Sequence, residues 1–231
     1  HISFNQLIQN DYRDLLVRIG YANIGLSEVR KSKSLFNQAM AEVTIESRLK
    51  FLNRALDIYP FNSEALSKKG QILDELKQYE EALSVYNKAI SLTPWKAALY
   101  INRSYTYIRL NAFTSALTDL ATAISIEPMH KEAYNNRADV YRRIGDFDKA
   151  ISDIERVLQI DSEFDLAYAT LAEIYSALGN NEEFYNNLRK AVEFGYPLHK
   201  YSYDDIYKKY YKEADFIQLM DLSQKKNTRF I

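Results

Sequence analysis

The sequence has no cysteine, only six glycines and four prolines among its 231 residues, and no long uninterrupted apolar run. Without cysteine the chain can form no disulfide, no zinc–thiolate site and no cysteine nucleophile. So few glycines and prolines argue against long flexible linkers and turn-rich β architectures. Because a membrane-spanning helix needs about 20 consecutive apolar residues, we expect no membrane span. With 47% apolar and 26% charged residues, the composition predicts a helical protein with a sizeable core.

The chain also lacks a charge excess of either sign, since 30 Lys and Arg stand against 31 Asp and Glu. We therefore expect no nucleic-acid partner, because such binding needs a basic field. His130 and His199 each lie in a turn after a proline, and neither stands at a spacing from Ser, Asp or Glu that forms a recognisable acid–base or metal-binding pair. There is no glycine-rich phosphate loop. These observations predict a non-enzymatic protein without cofactor or metal.

What the chain does contain is a repeat of 34 residues. Pro60, Pro94 and Pro128 follow one another at this step, and residues 63–96, 97–130, 131–164 and 165–198 align without a gap. A fixed period of this length indicates stacked copies of one supersecondary unit. The first helix of each unit is predicted from three positions on one helical face: Leu66, Tyr100, Tyr134 and Tyr168; Leu73, Tyr107, Tyr141 and Tyr175; Leu76, Leu110, Ile144 and Leu178.

Each first helix is predicted to end in a left-handed turn, and a second helix follows it. The turn residues are Lys77, Asn111, Gly145 and Gly179. Small residues at equal positions of the second helix let its backbone approach the first helix closely, and large residues one turn further on fill the gaps. The small residues are Ala82, Ala116 and Ala150, and the large ones are Tyr86, Leu120 and Ile154.

This pattern resembles the tetratricopeptide repeat (TPR). The resemblance implies an all-α fold, a right-handed superhelical α-solenoid of helix–turn–helix repeats whose first helices line a concave groove. Some positions depart from the family pattern: Lys69, Arg103 and Arg137 stand where leucine is frequent, and Phe184 where alanine is expected. We therefore regard the fourth aligned unit as a weaker copy.

The 34-residue step also predicts the domain organisation. Before the aligned units, apolar residues at helical spacing between Phe4 and Ile19 predict a packing helix, and after Pro197 another amphipathic stretch is expected to cover the open end. The predicted segments are 1–28, an N-terminal packing helix; 29–62, a degenerate repeat; 63–96, 97–130 and 131–164, regular repeats; 165–198, a weaker repeat; and 199–231, a C-terminal capping segment.

The groove implied by the resemblance predicts a partner-binding site on the first helices. Asparagines can hold the backbone of an extended peptide because their amide group both donates and accepts hydrogen bonds. Arginines can bind an acidic segment through charge-assisted bonds. The predicted partner-binding residues are Lys68, Asn102, Tyr105, Arg109, Asn136, Asp139, Arg142 and Arg143. An equally open alternative is that the asparagines bond only to neighbouring helices, and pairing of the arginines with Glu132 and Asp139 is favoured over ligand binding.

A subset of the family grips the C-terminal carboxylate of heat-shock chaperones. Of the residues that this grip requires, only Asn102 is present, and Glu132 would repel a carboxylate. We therefore expect a different partner.

The predicted function is a scaffold or adaptor that binds a protein or peptide in the groove. The alternatives are an assembly module that uses the tyrosine-rich stretch 201–211, or a specialised binder such as a chaperone or a toxin-neutralising immunity protein. Either a monomer or a homodimer fits the sequence. A cytoplasmic location is expected, although the start at His1 leaves an exported form open.

Overall fold

The computed structural model describes residues 25–201 and 205–228. The predicted packing helix between residues 4 and 19 lies outside the described residues. The chain divides into two compact units, His1–Pro94 and Trp95–Ile231. No helix in the described ranges is long and apolar enough to cross a membrane.

The described residues of the first unit form two helical hairpins. These helices are α1 (Leu26–Ala41), α2 (Ile45–Ile58), α3 (Ser63–Glu75) and α4 (Tyr79–Leu92). Two of them begin at a side-chain cap, because Thr44 accepts a hydrogen bond from the Ser47 amide and Asn62 from the Ala65 amide. The helices α1 and α2 pack together, as do α3 and α4, and α2 contacts α3.

The second unit continues the same order of elements. Its helices are α5 (Ala97–Arg109), α6 (Phe113–Ile126), α7 (Lys131–Ile144), α8 (Phe147–Ile160), α9 (Asp165–Ala177), α10 (Asn181–Phe194), α11 (Leu198–Tyr201), a 3₁₀ helix (Asp205–Tyr210) and α12 (Ala214–Thr228). The hairpins are α5/α6, α7/α8 and α9/α10, and the first helices α5, α7 and α9 are neighbours. The described ranges contain no strand, so the predicted all-α fold of helix–turn–helix repeats is confirmed.

The turn inside each hairpin has the predicted left-handed residue. The φ angles are 60° at Lys77, 56° at Asn111, 84° at Gly145 and 74° at Gly179. In each turn the backbone makes two hydrogen bonds of the Schellman type, such as Asn111 N–H to Ile108 O at 3.0 Å and Ala112 N–H to Tyr107 O at 2.8 Å. The turn is therefore set by the backbone, and two non-glycine residues tolerate it.

The two helices of a hairpin cross where a small side chain of the first helix meets a large one of the second. Gly70 lies so close to Tyr86 that an added Cβ would stand 2.6 Å from Cε1 of the ring. The later repeats carry larger residues at the position of Gly70 and smaller ones at that of Tyr86. These pairs are Ser104 with Leu120, Ala138 with Ile154, and Ala172 with Leu188, all fully buried.

The third of the three positions on one face of the first helix is more exposed than the other two. Leu76, Leu110, Ile144 and Leu178 are 43%, 38%, 47% and 50% exposed, respectively. They stand at or beside the last residue of their helix. The chain turns away into the left-handed residue there, so the helical periodicity no longer predicts the buried face.

The arginines that replace leucine in the repeat pattern are paired inside their own hairpins. Arg103 donates to Asp119 through two nitrogens at 2.8 and 2.6 Å, and Arg137 donates to Asp153 through two at 2.7 Å. The guanidinium of Arg103 also lies over the rings of two tyrosines, Tyr100 and Tyr107. Two-point bonding makes these pairs strong. The departure from leucine is therefore compensated by an aspartate sixteen residues further on.

An aromatic cluster joins the C-terminal helices to the last hairpin. The ring of Phe184 stacks on that of Tyr210 at 3.8 Å between centroids, and Phe216 packs beside them. A large side chain fits at Phe184, where the family pattern has alanine, because the 3₁₀ helix supplies a stacking partner.

The boundaries predicted for the seven segments of the chain remain a proposal.

We expect the substitution Gly70→Ala to destabilise the protein by about 1–3 kcal/mol, because the new methyl group overlaps the Tyr86 ring. A buried helical glycine replaced by alanine without such overlap would instead gain about 1 kcal/mol. The variant Tyr86→Leu should rescue most of this loss in the double mutant, as measured by urea unfolding. Additive effects of the two changes would contradict the steric explanation.

Candidate functional site

The candidate site is the face of the first helices that does not pack against the second helices. Within the second unit it lies on α5 and α7, which are neighbours. Lys68 lies on α3 in the first unit, and its Nζ donates to Gln71 Oε1 at 3.0 Å. It remains a predicted contact residue of that unit alone.

On α5 the face presents an aromatic ring and a cation one turn apart. Tyr105 is 42% exposed. The guanidinium of Arg109 lies 4.9 Å from the centre of this ring and donates to the Tyr105 hydroxyl at 2.5 Å. Asn102, one turn earlier, is half-buried. The pair of Tyr105 and Arg109 is thus preorganised at the surface.

Two adjacent asparagines on α7 have different environments. Asn135 is buried and accepts a hydrogen bond from the Thr170 hydroxyl of α9 at 3.2 Å. Asn136 is half-buried, and its side chain makes no hydrogen bond within the part of the chain that the structure describes. The first asparagine therefore ties two helices together, whereas the second leaves its donors and acceptor for solvent or a ligand.

The remaining predicted residues of α7 form an ion network with α9. Asp139 accepts hydrogen bonds from Arg142 at 2.5 Å and from Arg143 at 2.8 Å. Arg142 also lies 3.0 Å from Glu173. The alternative that Asp139 pairs with the arginines is thus observed, whereas Glu132 lies 3.0 Å from His130 instead. Both contacts use Nη2 of Arg142, whereas its buried Nε has no hydrogen-bond partner within the described residues.

Glu173 has an unusual electrostatic environment. Burial raises the pKa of its carboxyl group from 4.5 to about 7, and the nearby charge of Asp139 adds to this, although Arg142 acts in the opposite direction. The hydroxyl of Tyr207, from the 3₁₀ helix, donates to Glu173 at 3.3 Å. Tyr207 is fully buried, so the C-terminal segment covers the α9 end of the face.

The repeat alignment places Glu173 at the position of Asp139 on this face, but it predicted neither the contact of Glu173 with Tyr207 nor the bond between Asn135 and Thr170. A signal was present, because Tyr207 follows Glu173 at the same step of 34 residues that relates Asp139 to Glu173. The predicted repeats end at residue 198, so this continuation was not predicted. In α12 the buried residues stand at other positions than in the earlier second helices, so the sequence pattern of the repeat is not visible there.

Comparison with known families agrees with this geometry. Models described as "Tetratricopeptide repeat" match residues 63–94 and 97–130, and residues 132–195, which together are more than half of the chain. The chain belongs to the tetratricopeptide repeat family. Proteins of this family are generally non-enzymatic modules of protein–protein interaction, which use the surface of a stacked repeat array.

Solved structures show the same fold. A thermophilic TPR protein from Thermus thermophilus is 20% identical, with a TM-score of 0.65, and the match covers 83% of this chain and 98% of that one. MamA from Desulfovibrio magneticus is 17% identical, with a TM-score of 0.63, and the match covers 79% of this chain and 99% of that one. YrrB, described as a TPR protein with an unusual peptide-binding site, is 19% identical, with a TM-score of 0.57, and the match covers 79% of this chain and 91% of that one. Among curated proteins no sequence matches.

The raised pKa of Glu173 predicts a pH-dependent stability. Between about pH 4.5 and 7 the folded state keeps a proton that the unfolded state has released, so the free energy of unfolding should fall by about 1–3 kcal/mol as the pH rises. The variant Glu173→Gln should lose this part of the decline in urea unfolding across that range. The exposed Glu155→Gln on α8 serves as a control that keeps the decline. An unchanged slope in Glu173→Gln would contradict the assigned environment.

Proposed function

We propose that the protein is a non-enzymatic scaffold that binds an extended segment of a partner protein on the exposed face of α5 and α7. The observation that carries the proposal is the polar and aromatic surface of this face, above all the amide of Asn136, which has no hydrogen bond within the described residues. Because this amide is open to solvent and has no internal partner, it can form hydrogen bonds with a bound peptide without breaking bonds inside the protein.

The arrangement suits recognition of a peptide backbone. Asn136 stands one repeat after Asn102, at the same position of the first helix. Neighbouring packed helices lie roughly 10 Å apart, which is about the length of three extended residues. The Asn136 amide can donate to one backbone carbonyl and accept from one backbone N–H, which would hold an extended segment without requiring particular side chains.

The ion network limits where such a segment would lie. Glu173 on α9 is engaged by Arg142 and by the buried Tyr207. A ligand would have to break these contacts to reach α9. We therefore assign the binding face to α5 and α7, with Asp139 and Arg142 as residues that support it and with Tyr105, Arg109 and Arg143 at its surface.

The peptide-binding site described for YrrB supports a peptide as the class of ligand for this fold. The specialised roles, a chaperone or an immunity protein, are versions of the same binding function. The alternative assembly role receives less support, because Tyr207 and Tyr210 of the tyrosine-rich stretch are buried within their own chain.

Affinity capture from native lysate, with the protein as bait, tests the proposal. The double variant Asn102→Ala with Asn136→Ala should weaken binding of a captured partner by about thirtyfold, since the loss of one hydrogen bond at each residue, at about 1 kcal/mol, amounts to about 2 kcal/mol. Its thermal unfolding should change little. The variant Asn186→Ala, an exposed asparagine of α10, is the matched control and should bind normally. Equal capture by the double variant and the wild type would overturn the proposal.

A further inference from the structure

The helix α1 is polar on the side where α3, α7 and α9 pack against a preceding helix. In these three helices two buried residues, seven positions apart, contact the second helix of the repeat before. They are Ala65 and Ile72, Ala133 and Val140, and Ala167 and Ile174. One repeat step before the first pair stand Lys31 and Gln38, and both are exposed. Terminal units of a repeat array carry such a polar outer face, so the stack begins at α1.

A different side of α1 is apolar and open. Leu26 and Met40 are 75% and 37% exposed, and Val29 and Phe36, between them in the sequence, are half-buried. Spacings of three, seven and four residues place these four side chains along one side of the helix. We call them the α1 stripe. Val43, in the turn that follows α1, is 90% exposed, so the apolar surface extends to the end of the helix.

The α1 stripe lies on the side of the first helix that forms the groove face in later repeats. Met40 stands three repeat steps before Arg142, and Asn37, beside the stripe, stands three steps before Asp139. The groove face is thus apolar in the first repeat, whereas it is polar on α7. A cover for this surface must itself be apolar.

The segment that precedes α1 in the sequence has the pattern and the length to cover the stripe. Its apolar residues recur at helical spacing between residues 4 and 19. The segment has 16 residues, as α1 does, and residues 20–25 connect the two. A connection of this length is typical of antiparallel neighbouring helices.

An antiparallel arrangement also makes the charges of the two elements complementary. Ile19 would then lie beside Leu26. In this register Asp11 stands opposite Lys33, and Arg18 stands opposite Glu28. Lys33 is exposed on α1 and makes no ion pair within the described residues, so its charge is open to such a partner.

We propose that residues 4–19 form a helix that docks antiparallel on the α1 stripe and covers the groove face of the first repeat. The protein's own chain is then the ligand of this face, and a partner is excluded from it. The predicted packing helix thereby belongs to the groove side of α1 and not to the front of the stack. This inference does not depend on the proposed scaffold function.

Disulfide trapping in the full chain tests the docking, because the sequence contains no cysteine. In the proposed register Ile8 lies opposite Asn37. The pair Ile8→Cys with Asn37→Cys should form an intrachain disulfide under mild oxidation, and pairs of Ile8→Cys with Lys33→Cys or Ala41→Cys cover a shift of one helical turn. The matched control pairs Ile8→Cys with Gln38→Cys, which is equally exposed but lies on the polar side. The best of the three pairs should close at least about tenfold faster than the control, because a disulfide needs Cα atoms within about 7 Å.

Variants of the stripe show whether its apolar side chains hold the segment. Leu26→Gln with Met40→Gln should slow disulfide formation at least about fivefold, since it removes apolar surface from the contact. Lys31→Gln with Ser34→Gln, exposed on other sides of α1, should leave the rate unchanged.

Rates at all three positions no higher than that of the Gln38 control would overturn the proposal. So would a disulfide that joins two chains and forms faster at higher protein concentration, because the segment would then cover a second copy. Neither result bears on partner capture through Asn102 and Asn136, so the scaffold function is tested separately.

Discussion

The constraint on which the structure depends is the match of volumes where the two helices of each hairpin cross. Gly70 faces Tyr86, whereas Ala138 and Ile154 stand at the equivalent positions two repeats later. Packing at native density allows neither a void nor an overlap at such a crossing. A large residue on one helix therefore requires a small one on the other. The four hairpins from α3/α4 to α9/α10 all meet this condition.

The packing inside the hairpins also determines which helix faces remain exposed and available for binding. The second helices use their small and large residues to hold the hairpin, and the paired Arg137 and Asp153 extend this contact to charged groups. The first helices retain a second face, which on α5 and α7 carries Tyr105 and Asn136. Rigid helices position this face. Binding therefore costs the protein little conformational entropy. At α9 the C-terminal segment closes it through Tyr207.

The sequence was sufficient to predict the helical repeats and their turns, because both follow from periodicity within one hairpin. The left-handed Lys77 and Asn111 were found in this way, without a glycine to mark them. Periodicity did not show that Leu110 and its equivalents, at the end of the helix, are more exposed than the other positions of that face. It also could not pair Glu173 with Arg142 and Tyr207, because that network depends on three separate elements and on burial, which raises the pKa of the carboxyl group. The sequence thus predicted which side chains share this helix face, but not how their charges are paired.

The most direct test of the central claim is chemical-shift mapping of the isotope-labelled protein with a partner segment identified by capture. The account predicts that the backbone signals of α5 and α7, and the side-chain amide signals of Asn102 and Asn136, change most on binding, while those of α6 and α8 change little. Changes concentrated on the exposed faces of α6 and α8 would contradict the assignment of the binding face to the first helices.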